Sequence, residues 1–265
     1  MNREEKGLKP TFERFWKYRY LLRYLIGRDL KVKYRRSILG ILWSVLNPLM
    51  MMLIITAVFS NVFRFSIEHY PAYYLTGSVL FSFFADATNM SNLSILQASA
   101  LIKKVYIPKY MFPLEKTMFC FVNMLFSLVA VLLIFLVTGT PLHWTALLFP
   151  VGLIYIFIFT LGVSLMISAL SVYFRDMLHL YGVLVTALTY CTPIFYPMDV
   201  LSEKIAFIVR LNPLYHFVTY FRTVTLYGQV PTLGNNLLCF GLAAAMLAIG
   251  AAVFRKLQGN FILHI

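Results

Sequence analysis

The sequence predicts an all-α integral membrane protein. The expected architecture is six transmembrane helices, an N-terminal amphipathic interfacial helix, and an outer-leaflet re-entrant helical hairpin between spans five and six. Three observations predict it. First, 60% of the 265 residues are hydrophobic and 12% are charged, whereas a soluble domain is roughly half apolar and a quarter charged. Second, the apolar residues fall in runs of about 20, enough to cross ~30 Å of hydrocarbon as a helix, without the alternation of a membrane barrel. Third, the stretch RDLKVKYRRSILGILWSVLNP (28–48) is a border between water and hydrocarbon. Arg28, Lys31, Lys33, Arg35 and Arg36 precede it, and no ionised residue follows Ile38 until Arg64. Positive charge stacked on one side of a first span sets the direction in which that span enters the bilayer.

The elements follow in order within one domain, 1–265. Residues 11–36 form the interfacial helix. At 100° per residue Phe12, Phe15, Trp16, Leu22, Ile26, Leu30 and Tyr34 share one side, and Arg14, Lys17, Arg28, Lys31 and Arg35 the other. Arg19 and Arg23 break this pattern, one turn apart on the apolar side. They either snorkel to lipid phosphates or clamp the phosphate of a lipid-linked substrate. Span one, 38–63, contains Pro48, which is expected to bend it. Span two, 71–99, is polar in its second half: Asp86, Asn89, Ser91, Asn92, Ser94 and Gln97. Such a helix faces other helices or an aqueous path rather than lipid. Asp86 is expected to be the one buried acid of the spans. It is either a functional carboxylate or a structural partner of a group on another helix.

A short basic segment, LIKKVYIPK (101–109), lies between long spans and reads as a helix turned parallel to the membrane. Spans three (111–138), four (145–174) and five (178–196) follow, with Arg175 and Asp176 as a tight inner turn. Residues 198–228 are aromatic but too interrupted to cross, and read as the hairpin. Non-helical backbone at that depth requires cover by protein or water. Span six is 237–254. Of the 23 Lys and Arg, only Arg64, Lys204, Arg210 and Arg222 fall on the outer side. This asymmetry places both termini in the cytoplasm.

The net charge of +13 reads as cytoplasmic loops facing an anionic leaflet, not as nucleic-acid binding, because no basic soluble module carries it. Cys120, Cys191 and Cys239 are an odd set without metal spacing and read as core residues. No phosphate loop, HExxH, CxxC or GxSxG occurs, and no metal or catalytic constellation is visible. If the protein moves something against a gradient, the energy comes from another chain.

Four stretches together resemble the permease subunit of ABC-2 type polysaccharide exporters, which serve O-antigen, capsule and teichoic acid. They are 28–48, LIKKVYIPK (101–109), YFRD (173–176) with TPIFYP (192–197), and NPLYHFVTYFR (212–222). The resemblance implies a homodimer in a bacterial plasma membrane, with two copies of a separate ABC ATPase that carries the ATP and Mg. It implies no cofactor on this chain. The implied substrate is a polysaccharide or teichoic acid on an undecaprenyl diphosphate-type lipid, moved through a channel lined partly by aromatics. On that footing Arg19, Arg23, Arg28 and Lys31 meet the head group. Tyr73, Tyr74, Phe81, Phe83, Phe84 and Asp86 line the channel. Lys103, Lys104, Tyr106, Lys109, Arg175 and Asp176 dock the ATPase. Tyr215, His216, Phe217, Tyr220 and Arg222 belong to the gate hairpin. The tail GNFILHI lacks the acidic residues expected in such exporters. Two other readings stay open: an ABC-2 permease for small lipids or drugs, and a membrane-embedded transferase built on Asp86 with His69.

Overall fold

The computed structural model describes residues 8–35, 37–59 and 67–264, with side chains from Trp16 onward other than that of Lys17. Arg36, Arg64 and the outer end of the expected first span lie outside the described residues. So do the side chains of Phe12, Arg14, Phe15 and Lys17. Every regular element among the described residues is helical. The chain divides into two units, Met1–Gly40 and Ile41–Ile265.

The first unit is one long helix, α1 (Leu8–Tyr34). Trp16, Tyr20 and Tyr24 repeat at every fourth residue and are all exposed. The Arg19 guanidinium lies 4.5 Å from the Trp16 ring and 4.6 Å from the Tyr20 ring, an arrangement in which the ring quadrupole attracts the cation. Arg28 pairs with Asp29 at 2.9 Å.

The second unit opens with α2 (Trp43–Val58), which runs through Pro48. Proline has no N–H, so the carbonyl four residues earlier, that of Ser44, loses its helical donor. The Ser127 hydroxyl on a later helix donates to it at 2.9 Å. Next comes α3 (Tyr70–Gln97), with Pro71 in its first turn, where a missing N–H costs nothing. The short α4 (Ser99–Lys104) ends in extended backbone, and α5 (Met111–Thr138) stops at Gly139, whose φ of 66° is left-handed. Only glycine takes that conformation freely, so the helix ends there.

A 3-10 turn, Trp144–Leu148, leads into α6 (Phe149–Tyr173). After a tight turn, α7 (Met177–Tyr190) gives way to non-helical backbone at Cys191. Pro193 and Pro197 keep the residues before them out of helix there. Two short helices follow where the hairpin was expected, α8 (Glu203–Leu211) and α9 (Pro213–Thr225). Asn212 caps α9, accepting from the Leu214 N–H at 3.0 Å, and Pro213 takes the first helical position. Finally α10 (Leu233–Leu257), capped by Thr232, leads to the terminal turn α11 (Phe261–His264).

Among the described residues four stretches are long and apolar enough to cross a membrane: Gly40–Val58, Met111–Thr138, Trp144–Tyr173 and Leu233–His264. The six expected spans exceed these by two. α3 is long enough at 28 residues, but its second half is polar. α7 has 14 residues, about 21 Å of helix at 1.5 Å per residue, short of ~30 Å of hydrocarbon.

The core lies where α3 packs on α5 and α6, with α9 laid against α3 and α6. α6 crosses α10 backbone to backbone. A Cβ on Gly162 would meet the Met246 carbonyl at 2.5 Å, and one on Gly250 would collide with the Gly162 carbonyl. Small residues allow such approach between membrane helices, where packing rather than water exclusion drives association. Gly250→Val and Gly162→Ala are therefore expected to destabilise the purified protein by about 1–3 kcal/mol, read as earlier thermal unfolding in detergent. Gly241→Ala on the same α10, where open space surrounds the position, is expected to leave unfolding unchanged.

Candidate functional site

Three parts of the second unit concentrate polar groups that an apolar bundle does not need. The first is the junction of α9 with the non-helical stretch after α7. Arg222 is buried, with 3% of its surface exposed. Its guanidinium donates to the Pro193 carbonyl at 2.8 Å and to the Tyr73 carbonyl at 2.9 Å, and it stacks 3.5 Å above the Tyr73 ring. Gly77 makes room: a Cβ there would lie 2.6 Å from the guanidinium nitrogen. The Tyr73 hydroxyl donates to the Tyr196 carbonyl at 2.9 Å, and the Tyr70 hydroxyl to that of Phe195 at 2.9 Å. Asn212 donates to the Cys191 carbonyl and to the Thr192 hydroxyl, at 3.1 and 2.8 Å. The carbonyls that leave the helix at 191–196 are thus met by side chains of α3, of α9 and of its cap. That is the condition for irregular backbone away from water.

The second part is α3 itself, which has two unlike sides. Tyr73, Tyr74, Phe81, Phe83 and Phe84 are all buried. Phe83 meets Phe121 edge-on at 5.6 Å, Phe84 meets Phe159 at 6.0 Å, and Tyr74 meets Phe195 at 5.8 Å. The opposite side carries Ser82, Asp86, Asn89, Leu93 and Gln97, every one exposed. Asp86 is therefore not a buried acid. Helical spacing places it with Ser82 and Asn89, while Ser91, Asn92 and Ser94 turn inward. Among the described residues the buried acid is Glu115 on α5, 3.2 Å from the Lys116 ammonium.

The third part is one end of the bundle, where the α4–α5 segment, the α6–α7 turn and the C-terminal tail converge. Ile102 and Ile107 are buried and anchor the first of these, leaving Lys103, Lys104 and Tyr106 exposed. Lys109 turns inward: its ammonium donates to the Gln258 carbonyl at 2.6 Å and lies 5.4 Å from the Phe261 ring. Burial pulls it below the usual lysine range. The Tyr173 hydroxyl donates to the Leu257 carbonyl at 2.8 Å, and its ring meets those of Phe261 and His264 at 6.1 and 4.5 Å. Asn92 accepts from the Ser171 hydroxyl and reaches the Met177 carbonyl at 3.5 Å. Arg175 and Asp176 are exposed at the turn.

Comparison with known proteins places this arrangement. The profile of a family described as ABC-2 type transporter matches residues 20–226. The chain belongs to the ABC-2 type transporter family. Two O-antigen export system permease proteins RfbA of Klebsiella pneumoniae are 31% and 30% identical to it over 245 residues, each alignment covering 91% of this chain and 93% of the relative. An RfbA of Myxococcus xanthus is 27% identical over 248 residues, 93% of this chain and 95% of that one. The protein is an integral membrane transport subunit of this family.

Within this ABC-2 subunit the expected site residues sort by surface. Of the docking set, Lys103, Lys104, Tyr106, Arg175 and Asp176 share the exposed basic end, and Lys109 holds the tail instead. Of the hairpin set, Phe217, Tyr220 and Arg222 are buried, while Tyr215 and His216 are half-buried. Phe217 lies 5.2 Å from Phe159, and Tyr220 donates to Asn236 at 3.1 Å. The expected channel aromatics line no surface of the single chain, and of that set only Asp86 does. In the head-group set, Arg23, Arg28 and Lys31 are exposed and Arg19 is partly covered. Sequence reasoning missed Gly77, Asn212 and Phe261. The Asn-Pro pair at 212–213 carried a readable helix-cap signal; the other two depend on contacts with distant elements.

Arg222→Ala removes the charge-assisted hydrogen bonds to the Pro193 and Tyr73 carbonyls, each worth about 1.5–3 kcal/mol, and leaves buried carbonyls unmet. It is expected to lower the unfolding temperature in detergent more than any single hydroxyl deletion on α9. Arg222→Lys is expected not to restore it, because an ammonium lacks the planar fork that reaches both carbonyls.

Proposed function

We propose that this chain is the membrane-spanning subunit of an ATP-driven exporter of a lipid-linked polysaccharide. The carrier is an undecaprenyl diphosphate-type lipid bearing a polysaccharide or a teichoic acid. The observation that carries this reading is the likeness to O-antigen export permeases over more than nine-tenths of both chains. Transport runs from the cytoplasmic to the outer face of a bacterial plasma membrane. The outer-side count of four Lys and Arg among 23 supports cytoplasmic termini and a cytoplasmic basic end. Six spans follow if α3 crosses with its polar side away from lipid, and if α7 is continued by the stretch to Pro197. The hairpin of α8 and α9 then sits in the outer leaflet as the gate.

Two copies of the chain enclose the path. Two copies of an ABC ATPase, which hold ATP and Mg, dock on Lys103, Lys104, Tyr106, Arg175 and Asp176. Arg19, Arg23, Arg28 and Lys31 attract the diphosphate, whose oxygens accept charge-assisted hydrogen bonds. Lys109, through Gln258 and Phe261, ties the docking segment to the tail, so a push on one moves the other.

Co-expression with the cognate ABC ATPase tests the reading. A detergent-stable assembly of two of each chain is expected, with ATP hydrolysis stimulated by the lipid-linked glycan. Changing Lys103, Lys104 and Arg175 together to Glu is expected to weaken co-purification about tenfold, as for loss of rim charges that steer docking. A permease that captures no ATPase, or an assembly indifferent to the glycan, would exclude the exporter.

A further inference from the structure

The tight turn between α6 and α7 carries Phe174, Arg175 and Asp176, all exposed. One side chain of another helix grips both of its flanks. Asn92, buried on α3, accepts from the Ser171 hydroxyl near the end of α6. Its amide nitrogen lies 3.5 Å from the carbonyl of Met177, the first residue of α7. A carboxamide suits this place because it is donor and acceptor at once. Burying one is costly unless partners meet it, and here they come from both sides of the same turn. At this end α7 has little else to hold it. Of its 14 residues only Tyr181 and Val185 are buried, and Tyr181 meets Thr88, one turn of α3 back from Asn92. An element with few buried apolar contacts shifts at low cost. At the other end of α3 the Tyr73 carbonyl takes the Arg222 guanidinium. Over the 19 residues from Tyr73 to Asn92 the helix rises about 28 Å.

We infer that Asn92 is a positioning residue of the transport cycle: it holds the α6–α7 turn on α3, so that a displacement of the turn is carried into α3. The inference rests on the export reading above, in which the partner ATPase docks on Arg175 and Asp176. Transmission needs a tie on both flanks. With one flank free, the turn bends under load and α3 stays where it is. With both held by one side chain, turn and helix move together, because packed helices shift between discrete arrangements and do not deform continuously. The tail offers a different tie, from the Tyr173 hydroxyl to the Leu257 carbonyl. That one leads to α10 and not to α3. Asn92 therefore connects the turn to the helix that also carries Tyr73 and its carbonyl's bond to Arg222.

The intact permease–ATPase complex in its membrane tests this. Ser82→Cys, at an exposed position of α3 about 15 Å from Asn92, reports movement of the helix. The native chain, whose cysteines are buried or half-buried, gives the background. A non-hydrolysable ATP analogue is expected to change the rate at which a thiol reagent labels Ser82→Cys. Asn92→Leu is expected to abolish that change with assembly and analogue binding retained. It is also expected to lower glycan exported per ATP hydrolysed about 2- to 30-fold, the span for residues that link two sites, with basal hydrolysis retained. Ser168→Ala removes a buried hydroxyl that donates to the Leu165 carbonyl within α6 at 3.0 Å, and is expected to change neither readout. Wild-type values for Asn92→Leu overturn the tie. So does a fall in export matched by an equal fall in assembled complex, which makes Asn92 a packing residue only. A lower export ratio with the labelling change intact overturns it as well, because movement then reaches α3 by another route. If Asn92→Leu does not assemble, Ser171→Ala decides. It is expected to reduce both readouts and Ser171→Thr, which keeps the hydroxyl, to restore them; no reduction overturns the tie. An analogue that leaves Ser82→Cys labelling unchanged in the otherwise native chain also sinks it. A complex that shows the labelling change but exports no glycan defeats the export reading and leaves the tie standing.

Discussion

The part of the second unit where α9 meets the end of α7 depends on one buried guanidinium. Helices satisfy their own backbone, but the stretch from Cys191 to Pro197 leaves the helix and does not. Arg222 meets three carbonyls, those of Pro193 and Ile194 in that stretch and that of Tyr73 on α3, and stacks on the Tyr73 ring. Tyr70, Tyr73 and Asn212 meet others. A cation buried without this many acceptors would be expelled or neutralised. Here it converts a break in α7 into a rigid joint. The start of α3, the end of α7 and α9 are therefore tied to one another.

The basic end is built on a different principle. Its charges stay in water, and its joints are aromatic and singly hydrogen-bonded. Phe261 is enclosed by Phe254, Tyr173 and the Lys109 ammonium. Such contacts are individually modest, so the three chain segments that meet there are held close without being locked.

Much of this was legible in the residues. The helical class, the family and an apolar stretch beginning close to Ile38 follow from composition, charge order and motif. That 198–228 holds no long apolar helix was readable from its interrupted, partly polar pattern. The rotation of α3 was not. The sequence places aromatic and polar residues on the same helix and does not say which side meets the neighbours. The aromatic channel was the natural expectation, yet those rings pack inside and the polar stripe is outside. Lys109 looked like another docking charge because neighbouring lysines are exposed, and its partner is near the far end of the chain.

By itself the sequence determined that the chain is apolar enough for a membrane, that it folds as helices, and where along it positive charge is concentrated. These depend on length, composition and order along the chain, quantities that a one-dimensional reading contains. Only the tertiary structure decided what Arg222, Lys109 and Asp86 do. Arg222 and Tyr73 are separated by 149 residues, and so are Lys109 and Gln258. Whether a polar group at such a position is a tie, a clasp or a surface depends on which helix face arrives opposite it. That is settled by close packing among α3, α5, α6 and α9 and not by local sequence.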